Sequence, residues 1–121
     1  MQELTVAEKY NFFRDSFSHC GLFLLDLNDE DILYYLFEEF DTDSISFFHA
    51  KTLESLRQSS YINDEIVSMC EILRDSYLKL ANKKRWGAEE IKTSPDWLEL
   101  FHLADDIRMR LTKEIQVSGI I

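Results

Sequence analysis

The residues with the clearest capacity for chemistry are the carboxylates between positions 26 and 43. These 18 residues contain eight carboxylates and neither Lys nor Arg. They are Asp26, Asp29, Glu30, Asp31, Glu38, Glu39, Asp41 and Asp43. In a helix the stretch would span about 27 Å, with one negative charge per about 3.4 Å, close to the phosphate spacing of a nucleic-acid strand. Such a charge density must be solvated or paired with a cationic partner.

If a helix begins at Asp29 and each residue advances by 100° around its axis, the side chains of this stretch divide between two sides of the helix. The side expected to face the core carries Ile32, Leu33, Leu36, Phe37 and Phe40. The opposite side carries Asp31, Tyr34, Tyr35 and Glu38, with Glu39 at its border. Tyrosine is enriched in binding interfaces because it is large, stiff and polar at its tip. The pattern predicts a partner-binding surface or, alternatively, a solvated acidic face whose tyrosines fold back onto neighbouring helices.

Patterns for metal binding and catalysis are missing from the sequence. The candidate zinc ligands never occur in the close pairs that zinc sites use; they are His19, Cys20, His49, Cys70 and His102. Asp41 could open a calcium loop, but Ser46 stands where that loop needs glycine and Thr52 where it needs glutamate. The glycines are too dispersed for a phosphate-binding loop. We therefore expect no metal, no cofactor and no catalytic residue.

The composition predicts one all-α domain. Of 121 residues, 45% are hydrophobic and 30% charged, which favours a packed core. Three Gly and one Pro are few for an all-β protein. Cys20 and Cys70 form no disulfide framework, and neither a signal peptide nor a membrane-spanning run is visible. We expect a cytoplasmic protein with reduced thiols.

The net charge of −10 is unevenly distributed. Residues 1–60 carry 12 acids against 4 bases, a net of −8, and residues 61–121 carry 11 against 9, a net of −2. This balance argues against direct binding of nucleic acid or of an anionic membrane. The basic triplet 83–85 ends a predicted helix, where cations complement the helix dipole. Alternatively, the triplet pairs with the acidic helix or with a partner.

Local sequence signals predict where the helices in the first half of the chain begin and end. Thr5 and Glu8 form a capping box at the start of the first helix, and Gly21 is expected to end it. The apolar run 22–25 is predicted as a buried connector or helical turn, although a strand is not excluded. Asn28 or Asp29 caps the acidic helix, and residues 41–44 are expected to form a polar break.

The third and fourth helices follow from their apolar periodicity. The third is predicted over about residues 46–58, with His49 as a hydrogen-bonded core residue. Its other inward residues are Ile45, Phe48, Thr52, Leu53 and Leu56. The fourth is expected at the centre of the bundle, with an inward stripe of Ile62, Ile66, Met69, Cys70, Leu73, Tyr77 and Leu80.

The fifth helix has the sharpest start. Residues 88–93 are predicted to be a loop, and Ser94 and Pro95 then supply the N-cap and the first helical residue. The inward stripe is Trp97, Leu100, Phe101, Ala104, Ile107, Leu111 and Ile115. Arg108 is expected to snorkel or to meet a carboxylate at the edge of this stripe. The apolar tail, Val117 to Ile121, is expected either to dock on the body of the protein or to form an exposed handle.

Phe48-His49-Ala50-Lys51 resembles the histidine phosphotransfer domains, in which a helix-borne His accepts a phosphoryl group and a nearby Lys assists. The resemblance implies that His49 is the phosphorylated residue. Two positions depart from that family: Lys51 follows His49 by two residues rather than three, and Leu53 stands where the family has Gly.

The small, acidic, helical, cysteine-poor chain is similar in overall character to bacterial immunity proteins, especially those of contact-dependent growth inhibition systems. Those proteins use acidic, tyrosine-bearing helices to bind basic toxin domains. The resemblance implies that Asp31, Tyr34, Tyr35, Glu38 and Glu39 contact the partner.

The sequence thus predicts a single-domain, all-α bundle of about five helices over residues 1–121. We expect a non-enzymatic bacterial protein that blocks a basic toxin domain, with a nuclease as the leading candidate. The expected partner-binding residues are Asp31, Tyr34, Tyr35, Glu38, Glu39, Asp41 and Asp43. The alternatives are a helical adaptor or regulator in transcription or signalling and a phosphotransfer domain that uses His49.

Overall fold

The helices account for most of the molecule. The computed structural model describes the backbone of residues 4–120 and the side chains of residues 4–112. The α-helices are α1 (Val6–Asp15), α2 (Asp29–Tyr34), α3 (Asp41–Ser46), α4 (Ala50–Gln58), α5 (Asp64–Lys83), α6 (Ala88–Thr93) and α7 (Pro95–Ile120). Two 3₁₀ turns cover Ser16–Ser18 and Leu22–Asp26, and a π-helical segment, Tyr35–Phe40, joins α2 to α3. No strand occurs in residues 4–120, so the all-α, single-domain prediction is confirmed.

The predicted fourth helix, α5, packs against α4 and α7. Helix α7, which also contacts α6 and both 3₁₀ turns, meets more elements than α5 does, and α2 contacts α6. Edge-to-face aromatic contacts run through the core: Phe13–Phe48 at 5.5 Å between ring centroids, Phe40–Tyr77 at 5.1 Å and Tyr77–Trp97 at 6.2 Å. Each such contact contributes about 0.5–1.5 kcal/mol beyond area burial.

The predicted starts of the first, second and fifth helices are confirmed, whereas the third predicted helix begins at Ala50 rather than near residue 46. The Thr5 hydroxyl accepts from the Glu8 amide at 3.1 Å, and the Glu8 carboxylate accepts from the Thr5 amide at 3.0 Å. Asn28 caps α2 by accepting from the Asp31 amide at 2.9 Å. The Ser94 hydroxyl accepts from the Trp97 amide at 3.4 Å before Pro95 begins α7. The run 22–25 is a helical turn, one of the two forms predicted for it.

Gly21 does not end the first helix, so that prediction is wrong. Helix α1 stops at Asp15, and Gly21 is buried in extended backbone six residues later. A Cβ at Gly21 would lie 2.4 Å from the Asp105 Oδ1 atom. The glycine therefore permits close approach of the chain to α7, where the Asp105 carboxylate also accepts from the Leu22 amide at 3.2 Å.

The predicted polar break at residues 41–44 is also wrong, because α3 runs through it. Its carboxylates find partners within the fold: Asp41 lies 2.9 Å from the Tyr77 hydroxyl and Asp43 lies 2.6 Å from His19 Nδ1. The actual break comes after Ser46.

Because the break comes after Ser46, two residues that were predicted to face inward on the third helix do not. Ile45 is 56% exposed. His49 is an exposed N-cap residue whose Nδ1 accepts from the Lys51 amide at 3.2 Å, rather than a core residue. The remaining inward residues, Phe48, Leu53 and Leu56, are buried, and Thr52 is half-buried.

Residues 88–93 form α6 rather than the predicted loop. The Glu90 carboxylate accepts from the Gly87 amide at 3.2 Å and pairs with Lys84, which closes the first turn. Burial of Ala88 and Ile91 then attaches the helix to the core.

The stripes of the two long helices agree with the periodicity. In the stripe predicted for the fourth helix, Met69 and Leu80 of α5 are half-buried and the rest is buried, with Ile62 lying just before α5 begins. On α7, the stripe from Trp97 to Leu111 is buried, and Arg108 lies 3.6 Å from the Asp105 carboxylate. The side chains of Ile115 and of the tail from Val117 lie outside the described residues, as does Ile121 entirely.

A hydroxyl from α5 supports the π-helical segment. The Leu36 carbonyl accepts from the Asp41 amide, the i→i+5 bond that defines a π-turn. The Tyr77 hydroxyl lies 3.0 Å from that carbonyl oxygen and 2.9 Å from the Asp41 carboxylate. Burial raises the pKa of Tyr77 well above its ordinary value, and the hydrogen bond to Asp41 with the charge of that carboxylate raises it further, so the hydroxyl stays protonated as a donor.

Tyr77→Phe should lower the free energy of unfolding by about 1–2 kcal/mol, because it removes a buried hydroxyl that donates to the π-turn. Urea unfolding followed by circular dichroism measures the effect. Tyr61→Phe, at a partly exposed tyrosine, is the matched control and should stay within about 0.5 kcal/mol of wild type. Equal effects of the two variants would contradict this role for Tyr77.

Candidate functional site

Three carboxylates and a tyrosine form an exposed face on the acidic helix. Glu30, Asp31 and Glu38 are exposed, and Tyr34 is 47% exposed. Within the part of the chain whose side chains are described, none of these carboxylates lies within ion-pair distance of a Lys, Arg or His. The charge of this face is therefore balanced by solvent and counterions, and is open to a cationic partner.

Aromatic rings extend this face toward the second 3₁₀ turn, Leu22–Asp26. Phe23, which is 40% exposed, meets Tyr35 edge-on at 6.3 Å, and Tyr35 meets Tyr34 at 5.9 Å. We call Phe23, Tyr35 and Tyr34 the aromatic ridge. The exposed carboxylates and the aromatic ridge together form the acidic face.

The π-helical segment determines where Tyr34 points. Its hydroxyl donates to the Glu39 carboxylate at 2.5 Å, five residues further along. In an α-helix, residues five apart point about 140° away from each other, whereas a π-turn brings them to one side. The hydrogen bond to Glu39, together with the charge of that carboxylate, raises the pKa of Tyr34. Tyr34 is thus a neutral, oriented ring.

His19 joins the acidic helix to the 3₁₀ turns. Its Nδ1 lies 2.6 Å from Asp43 Oδ2, its Nε2 lies 3.8 Å from Glu39 Oε2, and its ring stacks on Tyr35 at 6.0 Å. Burial raises the pKa of Asp43, and the hydrogen bond from His19 only partly offsets that effect. His19 therefore holds the aromatic ridge and the π-helical segment together.

Asp43→Asn should remove a pH-dependent part of the stability. The pKa of Asp43 is raised on folding. Its contribution to the free energy of unfolding is therefore fully present when the pH is below the ordinary pKa of 3.8, and is lost as the pH rises through the pKa of the folded protein. In urea titrations between about pH 3 and about pH 6, the unfolding free energy of wild type minus that of the variant should fall with rising pH. A difference that is constant or rises would contradict the raised pKa.

The seven predicted partner-binding residues divide into two groups. Asp31, Tyr34 and Glu38 are exposed, and Glu39 is partly so. The prediction that Tyr35 faces water is wrong, since its ring packs partly buried against the core. Asp41 and Asp43 are likewise half-buried, where they bind Tyr77 and His19.

A groove of about 580 Å³ runs beside the acidic face, between α2 with its π-helical continuation and the end of α5. It is lined by Glu30, Leu33, Tyr34, Phe37, Glu38, Ala81, Lys84, Arg85 and Trp86. The buried Trp97 backs this groove, at 5.9 Å from Phe37 and 5.7 Å from Trp86. An apolar floor thus lies between an acidic and a basic wall.

The basic triplet does not neutralise the acidic helix. Lys84 pairs with Glu90, and no ion pair joins Lys83, Lys84 or Arg85 to residues 26–43 among the described side chains. Asp29 is paired instead with Lys92 of α6, at 3.3 Å.

The other candidate chemical groups are two buried thiols and a histidine at a helix N-cap. Burial raises the pKa of both Cys20 and Cys70, which disfavours the nucleophilic thiolate. His49 lies at an N-cap rather than within a helix, unlike the helix-borne His implied by the phosphotransfer resemblance. Residues 4–112 contain no group of three His, Cys, Asp or Glu side chains arranged to hold a metal ion.

Sequence reasoning missed three parts of this site: Phe23, His19 and Trp86. No motif or periodicity in the sequence marks these three residues, because each is placed by contacts with residues distant along the chain. His19 and Asp43, for example, are 24 residues apart.

Among the described residues, no helix has both the length and the apolarity needed to cross a membrane. No protein-family model, curated protein or solved structure matches this chain.

Proposed function

We propose that this protein is a non-enzymatic inhibitor that binds a basic partner through the acidic face, in the manner of an immunity protein or antitoxin. The partner would be a basic bacterial toxin domain with a cationic active-site cleft, such as a nuclease, neutralised in the cytoplasm. The observation that carries this proposal is the set of exposed carboxylates, Glu30, Asp31 and Glu38, that lack basic partners in the described part of the chain around Tyr34.

Electrostatic steering would act first. The acidic half of the chain, with its net of −8, attracts a basic domain and raises the association rate toward about 10⁸ M⁻¹s⁻¹ at low salt. The carboxylates of the acidic face then pair with Lys or Arg in the cleft and exclude its anionic substrate. Close charge pairs in inhibitor interfaces have coupling energies of about 1.5–7 kcal/mol.

The aromatic ridge would supply the anchor. Tyr34 is held by Glu39 and by its contact with Tyr35, so little side-chain freedom is lost on binding. An oriented, half-exposed tyrosine among carboxylates has the composition of an interface hot spot.

Co-expression tests the proposal. The chain is produced together with the product of the gene adjacent to its own, in cells whose growth that product arrests. We expect restored growth, inhibition of the purified toxin's nuclease activity at equimolar chain, and loss of both with Glu38→Lys but not with Glu71→Lys on α5. Tight binding without restored growth would indicate an adaptor instead, and absence of both would refute the proposal.

A further inference from the structure

The groove beside the acidic face has the chemistry of a socket for a basic side chain. We infer that it takes an extended segment of the basic partner, with an arginine against Tyr34 and an apolar neighbour on the floor of Leu33 and Phe37. This inference rests on the proposed function and specifies which part of the surface receives the partner. The volume of about 580 Å³ accommodates a few side chains.

The acidic wall presents an ordered row. Glu30 and Glu38 lie four residues before and four after Tyr34, and both carboxylates line the groove with it. A guanidinium that stacks on the Tyr34 ring is therefore flanked by a carboxylate on either side. Arginine suits this arrangement better than lysine, because its planar, weakly hydrated head stacks on aromatic rings and binds carboxylates in two-point fashion.

The Trp86 ring that lines the groove is fixed before any ligand arrives. Trp86 donates its indole N–H to the Leu80 carbonyl at 2.7 Å, one of the carbonyls left open at the end of α5. The Lys84 ammonium lies 4.6 Å from the Trp86 ring centroid, so this ring already accepts a cation.

The basic wall determines orientation. Lys84 and Arg85, at the end of α5, line the groove together with Glu30 and Glu38 of the acidic helix. Lys84 is paired with Glu90, so Arg85 supplies the positive charge that disfavours a cation on its side and leaves the acidic wall as the place for the arginine. In an extended segment alternate side chains point to opposite sides, so an arginine–leucine alternation satisfies the acidic wall and the apolar floor together.

The peptide Ac-Arg-Leu-Arg-Leu-NH₂ is the probe, and its citrulline analogue, which keeps the shape and loses the charge, is the control ligand. Binding to the full chain is followed by the indole N–H resonances of Trp86 and Trp97 in nitrogen-15 NMR spectra. We expect the arginine peptide to shift the Trp86 resonance and to bind at least about tenfold more tightly than the citrulline peptide. Glu30→Gln with Glu38→Gln should weaken binding about tenfold or more.

Glu71→Gln with Asp75→Asn removes the same charge from exposed positions on α5 that do not line the groove, and should change the affinity by less than about twofold. Equal binding of the two peptides, equal loss with both variant pairs, or shifts confined to another surface would overturn the inference. These outcomes are distinct from failure of the proposed function. If the chain restores growth but does not bind the peptide, the inference about the groove is wrong and the proposed function stands. A chain that binds the peptide in the groove but never restores growth is not the proposed inhibitor.

Discussion

Reversing three charges, by changing Glu30, Asp31 and Glu38 together to Lys, should weaken binding of the basic partner by at least about 1000-fold, or about 4 kcal/mol. These carboxylates have no basic partner among the described side chains, so their interaction energy is available to another molecule. Each reversal replaces an attraction by a repulsion, and like charges juxtaposed in an interface cost several kcal/mol. Surface plasmon resonance with the partner immobilised measures the change, with both a slower association and a faster dissociation expected.

The control has the same charge change elsewhere. Glu71, Asp75 and Glu99 are exposed on α5 and α7, and changing them to Lys alters the net charge equally. Their reversal should slow association through the long-range field but lower the affinity less than about tenfold. Comparable losses from the two sets would mean that net charge alone matters and that the acidic face has no special part.

A stability check accompanies this experiment. Glu30 and Asp31 lie in the first turn of α2, where negative charge complements the helix dipole, so each Lys should cost about 0.3–1 kcal/mol of folding free energy. Urea unfolding confirms that the variant remains folded at the concentrations used for binding.

Trp97→Ala should produce the largest loss of stability, about 3–5 kcal/mol. Trp97 is fully buried, and its ring contacts Tyr77, Phe101 and the two aromatic residues that line the groove, Phe37 and Trp86. Truncation leaves a cavity where α5, α7 and the acidic helix meet. The midpoint of urea unfolding measures the effect.

Leu98→Ala, one position further on α7, is the control. Leu98 is 41% exposed, so its truncation should cost less than about 1 kcal/mol. Similar costs for the two variants would show that Trp97 does not support the junction of these helices.

Features governed by neighbours in sequence were predictable. Thr5, Asn28 and Ser94 start their helices as expected because a cap satisfies backbone amides two or three residues away. The stripes of α5 and α7 follow from periodicity because both helices are long enough to average out local exceptions.

Features governed by distant partners were not predictable. Asp41 and Asp43 suggested a solvated break, but Tyr77 and His19 hold them in a helix. The π-turn depends on a hydroxyl from α5. A helical projection that advances each residue by 100° assumes an α-helix throughout and therefore cannot predict such a turn. The acidic stretch and Tyr34 were therefore found from sequence, whereas the placement of Tyr35, Phe23 and Trp86 required the fold.

Hydrogen exchange of the chain with and without its purified partner tests the central claim most directly, since it needs no substitution. Formation of the complex should slow amide exchange across residues 29–40 and across residues 81–86 at the other side of the groove, with the remaining helices little changed. Unaltered exchange in that segment, with protection confined to another part of the chain, would contradict an acidic face that binds a basic protein.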